Sequence, residues 1–248
     1  MNGLSNHAFL RYNRHIMLDK VGELGQQKLQ QAHIMLVGMG GLGCPAAQYL
    51  VASGVGQLTL VDHDVIELSN LQRQILYTDK DIGQSKVTVA QRRLSALNPL
   101  INIDTIQDSI FNLNGSELQS VDIILDCTDN ADTRRLINQL CYQNQIKLVS
   151  AAAIKEQGQL VSFDFTRTDS PCYQCLFADN TPQAINCANS GVLSPLLGVM
   201  GSLQASLAMQ LLLGNTDNLN RLIMVDVWGM QVKQLTLSKD PYCRCCNQ

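Results

Sequence analysis

The chain has 248 residues, of which 46% are hydrophobic and 16% charged, a composition typical of one folded α/β domain with a full core. The formal net charge of -3 excludes the strongly basic surface of a protein that binds nucleic acid electrostatically. The first residues, MNGLSNHAFLRYNRHIML, lack the continuous apolar run of a signal peptide. The composition therefore predicts a cytoplasmic globular protein.

The first 150 residues predict alternating strands and helices. Residues 1–32 are expected to form an N-terminal helical arm. The predicted strands cover residues 33–37, 58–61, 101–106, 121–130 and 147–153. The predicted helices cover residues 45–53, 86–97 and 131–143. A polar segment of about two dozen residues follows the second strand, and loops of that length are uncommon unless they carry a function. This order indicates a doubly wound nucleotide-binding half over residues 33–150.

The pattern changes near residue 158. QLVSFDF alternates in polarity like an antiparallel strand, and residues 169–195 are predicted as a loop. The apolar segment 196–213 contains two glutamines and two serines, so we expect a buried helix and not a membrane span. LIMVDVW and QVKQLTL predict a terminal hairpin, with Trp228 in the core. We predict one domain over residues 1–248, a Rossmann-like doubly wound sheet that continues into a mixed or antiparallel half over residues 151–248.

A glycine turn stands between the first strand and its helix. Gly38, Gly40 and Gly43 satisfy G-x-G-x-x-G, a spacing that lets backbone N–H groups approach phosphate oxygens at a helix N-terminus. Gly41 adds room. Asp62, at the end of the next strand, is placed to accept hydrogen bonds from ribose hydroxyls. The turn predicts a nucleotide site, with an NAD(P)-dependent oxidoreductase as its usual interpretation and a ligand-free packing turn as the alternative.

The residues after the glycine turn favour a triphosphate over a dinucleotide. The polar and charged side chains of the next segment are Asp64, Asn70, Arg73 and Lys86. Two cations and an amide suit a triphosphate better than one pyrophosphate. Asp129, beside Asn130 at the tip of a strand, suits a Mg²⁺ ion that bridges phosphates. The set indicates a site for ATP.

Six motifs in one order resemble the ThiF/MoeB/HesA family, the bacterial relatives of ubiquitin-activating enzymes. The motifs are RYNRHIML, GMGGLG, VDHDVIELSNLQRQIL, GQSK, LDCTDN and GVMGSLQA. The resemblance runs from about residue 9 to the C-terminus, and it implies a nucleotidyltransferase. Such enzymes use ATP to adenylate the C-terminal glycine of a small ubiquitin-like sulfur-carrier protein, which then becomes a thiocarboxylate.

The resemblance also implies roles for individual residues. Gly41 and Asp62 would hold the nucleotide. Asn70, Arg73 and Lys86 would contact the phosphates, Asp129 would bind Mg²⁺, and Asn130 would lie in the nucleotide site. Arg14 would reach the triphosphate bound to the partner subunit of a homodimer, although the sequence by itself makes it a surface charge on a helix.

Nine cysteines are many for a cytoplasmic chain, where disulfides are disfavoured. Cys172 and Cys175 form one C-x-x-C pair, and Cys243 and Cys246 form another. Two such pairs predict a structural Cys₄ zinc site, against the alternative of redox-active or unpaired thiols. Cys245 could also supply the fourth ligand, but the C-x-x-C spacing and the family pattern favour Cys246.

Cys187 lies in a polar loop, where an exposed thiolate can act as a nucleophile. In thiamine-pathway members of the family the matching cysteine joins the carrier through an acyl disulfide, whereas in molybdopterin-pathway members it is not essential. The remaining cysteines, Cys44, Cys127 and Cys141, are expected in the core. The four histidines, His7, His15, His33 and His63, do not cluster, so we assign them no metal.

The preferred hypothesis is a thiamine-thiazole enzyme that adenylates a ThiS-type carrier, because LFADNTPQAINC resembles that branch more closely. A MoaD-type carrier of the molybdopterin pathway is the alternative, and one enzyme for both is a third. A sulfurtransferase or cysteine desulfurase would supply the sulfur. Hypotheses from other classes are an oxidoreductase, a scaffold that binds carriers without turnover, and an enzyme that uses adenylation to dehydrate a modified tRNA.

Overall fold

In the computed structural model, which describes residues 3–113, 115–177 and 191–247, one eight-stranded sheet runs through both halves of the chain. Its spatial order is β3-β2-β1-β4-β5-β6-β7-β8. The strands are β1 His33–Val37, β2 Gln57–Val61, β3 Asn102–Ile106, β4 Ile123–Asp126, β5 Lys147–Ile154, β6 Gln157–Phe163, β7 Arg221–Asp226 and β8 Gln231–Thr236. The predicted fold class is confirmed.

The sheet is parallel from β3 to β5 and antiparallel from β5 to β8. The chain runs outward from β1 to β3 and then returns to place β4 on the other side of β1, so the strand order reverses between β1 and β4. Both strands are buried along their whole length, as strands of a sheet covered on two faces are. A crevice outside the carboxyl ends of such a pair is the usual ligand site of an open α/β sheet.

The helices of the described residues are α1 Asn6–Arg11, α2 Asn13–Ile16, α3 Gly22–Gln31, α4 Gly43–Ala52, α5 Lys86–Leu97, α6 Ala131–Asn144, α7 Tyr173–Leu176 and α8 Ser194–Leu212. The N-terminal arm is helical as predicted, but it is divided into three helices. Gly22, with φ of +61°, places a left-handed residue at the start of α3, which an uninterrupted helix does not contain.

Helices cover both faces of the sheet. One core contains side chains of α4, α5 and α8 against the sheet, and the other contains side chains of α6, α7 and the C-terminal tail. Cys44 and Cys127 lie in the first core and Cys141 in the second, so the prediction that these three are core residues is confirmed. Hydrophobic burial on both faces holds the strands in place. The carboxyl edge of the sheet, where the loops come together, is therefore also fixed.

Helix α8 is long and apolar enough to cross a membrane by length and composition, but half of its apolar window is buried within this fold. It packs on α4, β5 and β6. Gln204, in its middle, is fully buried and donates hydrogen bonds to the carbonyl oxygens of Asp126 (2.8 Å) and Val149 (3.0 Å). The prediction of a buried helix is confirmed.

The terminal hairpin forms as predicted, but the core position of Trp228 was wrong. The indole is 79% exposed, and all six residues of β8 are exposed. β8 is the last strand of the sheet, and nothing within the described residues covers it. Met230, Val232 and Leu235 are also exposed, but Val232 and Leu235 lie on opposite faces of β8, so only Met230 and Val232 stand near the turn with Trp228. We call the exposed apolar residues at and next to the turn, Trp228, Met230 and Val232, the hairpin surface.

Two glycines of α8 test the packing of this helix on α4. A Cβ on Gly201 would lie 2.5 Å from the Leu42 carbonyl oxygen, whereas a Cβ on Gly198 would meet nothing within 4 Å. Gly201→Ala should therefore lower the free energy of unfolding by about 1–3 kcal/mol through overpacking. Gly198→Ala should raise it by up to about 1 kcal/mol, because alanine is the better helix former. Urea unfolding followed by circular dichroism measures the free energy of unfolding of both variants. Equal changes in the two variants would contradict the close contact between Gly201 and the Leu42 carbonyl oxygen.

Candidate active site

A cavity of about 570 Å³ opens at the carboxyl edge of the sheet, around the ends of β1, β2 and β4. It gathers residues from Val37 to Leu197, which are far apart in sequence. The predicted nucleotide-site residues that line it are Gly38, Gly40, Gly41, Asp62, Asp64, Asn70, Arg73, Lys86, Asp129 and Asn130. One cavity wall thus combines a glycine turn, two cations and several carboxylates.

The glycine turn needs glycine for close backbone approach. Gly38 has φ of +95°, and a Cβ there would lie 2.9 Å from the Cys127 carbonyl oxygen. A Cβ on Gly43 would lie 2.0 Å from the Gly38 carbonyl oxygen. Gly43 begins α4 and is not among the residues that line the cavity, so packing against Gly38, and not ligand binding, accounts for glycine at this position. The turn is compact enough to leave its outer backbone open to a ligand.

The turn is held by two buried side chains. Asp62 accepts a hydrogen bond from the backbone N–H of Met39 (2.7 Å) and another from that of Asp64 (2.8 Å). Tyr77 donates its hydroxyl hydrogen to the Met39 carbonyl oxygen (2.8 Å). Burial raises the pKa of Tyr77 above its usual value, so the phenol stays protonated and remains a donor. The glycine turn is therefore preorganised without a ligand.

Lys86 starts α5 and is 95% buried, with its ammonium group 2.7 Å from a carboxylate oxygen of Asp64. A buried ammonium group needs a partner, because desolvation disfavours an isolated charge. Asp64 is half-exposed at the cavity wall, so the pair presents one buried cation and one accessible anion. The ion pair therefore gives the buried ammonium group of Lys86 a counter-charge beside the cavity.

A short 3₁₀ turn, Leu68–Asn70, places the second cation. Asn70 is buried, and its side-chain oxygen accepts the Glu67 backbone N–H (3.2 Å). Arg73 donates from Nη1 to the Ser69 carbonyl oxygen (2.8 Å). These bonds fix the turn that carries the amide and the guanidinium group into the cavity wall.

The tip of β4 is organised by Asp126, a buried carboxylate that sequence reasoning missed. It accepts hydrogen bonds from the Thr128 hydroxyl (2.6 Å) and the Ser150 hydroxyl (2.6 Å). Arg134, which lines the cavity from α6, lies 3.8 Å from Asp126 and donates to the Thr128 carbonyl oxygen. No short-range pattern marks Asp126, because Ser150 comes from the neighbouring strand.

Asp129 is exposed at the cavity wall, directly after this fixed turn. Asn130, next to it, is the N-cap of α6, and its side-chain oxygen accepts the Thr133 backbone N–H (2.9 Å). Capping is a structural reason for asparagine at position 130, independent of any contact with a ligand. The cap holds the start of α6 and with it the position of Asp129.

Besides Gly43, two predicted site residues are not placed in the cavity. Arg14 is exposed on α2 and does not line the cavity of its own chain. Cys187 lies outside the described residues. His63 comes together with Asp62 and Asp64 as possible metal ligands. We assign them no ion, because Lys86 pairs with Asp64 and two backbone N–H groups bind Asp62.

Four thiols meet in the second core, on the face of the sheet that α6 and α7 cover. The Sγ atoms of Cys172 and Cys243 are 3.6 Å apart, those of Cys172 and Cys175 are 3.9 Å apart, and those of Cys175 and Cys246 are 3.4 Å apart. A tetrahedral zinc ion with bonds of about 2.3 Å separates its sulfur ligands by about 3.8 Å. The donor set and its spacing therefore fit a closed structural site.

Cys246 is the fourth member of this cluster, as the C-x-x-C spacing favoured. Cys245 instead accepts a hydrogen bond from the Asn138 side chain (3.2 Å). The core cysteines differ from the cluster. Burial raises the pKa of Cys44 to about 12 and that of Cys127 well above the ordinary value, so both stay protonated and unreactive at neutral pH.

Comparison with known proteins identifies the family of this chain. The model of the ThiF family matches residues 12–245. The chain belongs to the ThiF family. It is 40% identical over 253 residues to the molybdopterin-synthase adenylyltransferase of Escherichia coli, with all of both chains covered. It is 41% identical over 247 residues to the sulfur carrier protein ThiS adenylyltransferase of the same species, covering 98% of this chain and 97% of that one.

Other similarities extend the comparison. The mosquito Anopheles gambiae has an adenylyltransferase and sulfurtransferase MOCS3 that is 39% identical over 250 residues, and the match covers 56% of that longer protein. Among solved structures, Escherichia coli MccB shares the fold with a TM-score of 0.82 at 22% identity. The match covers all of this chain and 76% of MccB. PaaA shares it with a TM-score of 0.78 at 20% identity, over 94% of this chain and 84% of PaaA.

The four-thiol geometry of this ThiF-family chain predicts one tetrahedral metal ion per chain. Cys246→Ser should lose the metal and lower the thermal midpoint, because binding free energy of a structural metal is folding free energy. Cys245→Ser is the matched control and should keep both metal and midpoint. Elemental analysis of purified protein and thermal unfolding measure the two. Purified wild-type protein that contains no metal and unfolds at the same temperature as Cys246→Ser would refute the assignment.

Proposed function

We propose that this chain is an ATP-dependent adenylyltransferase that activates the C-terminal carboxylate of a small ubiquitin-like sulfur-carrier protein. The observation that carries the proposal is the single cavity wall shared by the glycine turn, Asp62, Arg73, Lys86 and Asp129. Two relatives of about equal identity, 40% and 41%, are adenylyltransferases in the molybdopterin and ThiS systems. The chain acts as one unit over its whole length.

In the proposed reaction, a carboxylate oxygen of the carrier's terminal glycine attacks the α-phosphorus of ATP. A C–O–P bond forms, the bond from the α-phosphorus to the bridging oxygen of the β-phosphate breaks, and pyrophosphate leaves with that electron pair. No general base is needed, because a C-terminal carboxyl group is ionised at neutral pH. Catalysis then rests on alignment and charge neutralisation.

The residues of the cavity supply these two effects. The glycine turn offers backbone N–H groups to phosphate oxygens, and Asp62 keeps acceptor capacity for ribose hydroxyls. Arg73 and Lys86 neutralise the charge that grows on the leaving pyrophosphate. Asp129, a hard oxygen donor, would hold Mg²⁺, which would neutralise and orient the phosphates.

The other hypotheses explain the site less well. An oxidoreductase needs a nicotinamide site but gives no reason for a buried lysine and an arginine on the phosphate side of the cavity. A scaffold without turnover gives no reason to keep Arg73, Lys86 and Asp129 together. An enzyme that dehydrates a modified tRNA would use the same adenylation, but the net charge of -3 offers no basic surface for RNA.

The hairpin surface is the proposed docking site of the carrier. β7 runs parallel to β5, so the turn after β7, which contains Trp228, lies at the same edge of the sheet as the cavity. β8 is three strands from β5, about 14 Å at the usual spacing of strands. An extended tail of about five residues covers that distance. Ala153, near the end of β5, lines the cavity that the tail would enter.

Three further features belong to this proposal. The enzyme is a homodimer in which Arg14 of one subunit reaches the triphosphate of the other, a role that fits its exposure on α2. It is cytoplasmic, and the four-thiol centre holds structural zinc. A separate sulfurtransferase or cysteine desulfurase supplies the sulfur, and Cys187 receives the activated carrier if the enzyme serves the thiamine pathway.

ATP–pyrophosphate exchange tests the function directly. Exchange should require a carrier, and ThiS-type and MoaD-type carriers tested side by side identify the pathway. The segment LFADNTPQAINC favours the ThiS type, and MoaD is the alternative. Exchange with both would indicate one activator for two pathways, whereas folded, metal-loaded protein without exchange on either carrier would refute the proposed activity.

Asp129→Asn should lower the exchange rate on the order of 100-fold or more, because the charge that aligns the phosphates through Mg²⁺ is lost. Asp132→Asn is the matched control, an exposed carboxylate in the first turn of α6 that does not line the cavity. It should retain exchange. Both variants should unfold at the wild-type temperature. Normal exchange by Asp129→Asn would remove this residue from the site.

Trp228→Ala should raise the KM for the carrier by about 10-fold or more, because large aromatic anchors dominate most protein interfaces. The KM for ATP should not change. Tyr49→Ala, which removes an exposed aromatic ring from α4, is the control and should alter neither constant. Steady-state kinetics with varied carrier measure the effect. An unchanged KM for the carrier in Trp228→Ala would place the docking site elsewhere.

A further inference from the structure

Gln74 is a buried amide in the cavity wall that no role described so far explains. Only 4% of its surface is exposed, and the residue lines the cavity. Its side-chain oxygen Oε1 is buried and has no hydrogen-bond partner within the part of the chain that the structure describes. Buried polar atoms are nearly always paired, so an unpaired one at a ligand cavity indicates a missing partner.

The position of Gln74 is fixed by its backbone. Its N–H donates to the Asn70 carbonyl oxygen (3.0 Å), and its own carbonyl oxygen accepts the Tyr77 N–H (3.1 Å). The side chain reaches to the glycine turn, since a Cβ built on Gly40 would lie 3.5 Å from Nε2 of Gln74. The amide therefore stands over the glycine whose backbone is placed to receive phosphate, directly after Arg73 in the chain.

Two other buried glutamines show what a structural role looks like. Gln204 has both ends of its amide paired, because Nε2 donates to two carbonyl oxygens and Oε1 accepts the thiol hydrogen of Cys127 (3.3 Å). Gln26 also has an unpaired Oε1, but its Nε2 donates to the Ser53 carbonyl oxygen (2.9 Å) and it does not line the cavity. Gln74 alone of the three joins an unpaired oxygen to the cavity wall.

We infer that Gln74 is a phosphate-contacting residue of the nucleotide site. Its Nε2–H donates to a phosphoryl oxygen held over Gly40, and the side-chain adjustment that this contact requires gives Oε1 access to a hydrogen-bond donor that it lacks in the ligand-free site. A neutral amide adds a donor without a third positive charge beside Arg73 and Lys86, so it selects phosphate geometry more than charge. This inference rests on the proposed function, because it takes the ligand to be a nucleoside triphosphate.

Two near-isosteric variants test the contact. Gln74→Met removes the amide and should weaken ATP binding on the order of 10-fold, the loss expected for a hydrogen bond to a charged group. It should not lower the thermal midpoint of the ligand-free protein, because it also removes the unpaired oxygen. Gln74→Glu places a carboxylate beside the phosphates and should weaken ATP binding more than Gln74→Met. Isothermal titration with Mg²⁺-ATP measures the dissociation constants.

Gln26→Met is the matched control, because it removes a buried amide with the same unpaired oxygen outside the cavity. It should lower the thermal midpoint and leave the ATP dissociation constant unchanged. A second readout is the side-chain amide signal of Gln74 in ¹H–¹⁵N spectra, identified by its absence in Gln74→Met. This signal should shift when ATP is added, and that of Gln26 should not.

The outcomes separate the two proposals. Wild-type protein that binds ATP, with Gln74→Met and Gln74→Glu within twofold of it, would overturn the role of Gln74 and leave the adenylation proposal intact. Equal weakening by both variants would show that no phosphate lies beside the amide, and would overturn the contact as well. Folded wild-type protein that binds no ATP would overturn the proposed function and this inference with it.

Discussion

The two hydrogen bonds that Asp62 accepts join the halves of the candidate site. One comes from Met39 in the glycine turn and the other from Asp64, which holds Lys86. A carboxylate that accepts backbone N–H groups is a strong and directional anchor in a buried setting. Without it, the glycine turn and Lys86, which are both proposed to contact phosphate, would not be held in a fixed position relative to each other. The position of Asp62 depends in turn on β2 being paired with β1 in register.

The charges of the ligand-free site are arranged in pairs that a ligand can exchange. Lys86 is paired with Asp64, and Arg134 lies beside Asp126. Pairing solves the desolvation problem of buried charge while the cavity lacks a ligand. A triphosphate would bring several negative charges that could replace Asp64 as the partner of Lys86. The pairing therefore allows the site to stay folded without a ligand and still offer its cations to the proposed nucleotide.

Local patterns in the sequence were enough for most of the fold. β1, α5 and the glycine turn fall within a residue or two of their predicted bounds, because glycine, proline and polar clusters interrupt clear apolar periods. The ten predicted residues that line the cavity could be found because they follow strand ends. Trp228 could not be placed, since the sequence around an apolar residue in a hairpin turn is the same whether other parts of the protein cover that turn or leave it open. Asp126 and Gln204 were missed because their partnership spans 78 residues of sequence.

The four-thiol centre and the hairpin surface are connected through the chain. The tail that carries Cys243 and Cys246 follows β8 directly, and Leu237 anchors its start by donating its N–H to the Asn220 carbonyl oxygen. A metal at the four thiols would tie this tail to Cys172 and Cys175 beside α7, so β8 would be fixed at both ends, by its turn with β7 and by the metal. An exposed apolar edge strand that is not held in place tends to pair with the wrong chains. A metal at the four thiols would therefore have a physical role in the proposed carrier complex, although none of these thiols lines the cavity where adenylation would occur.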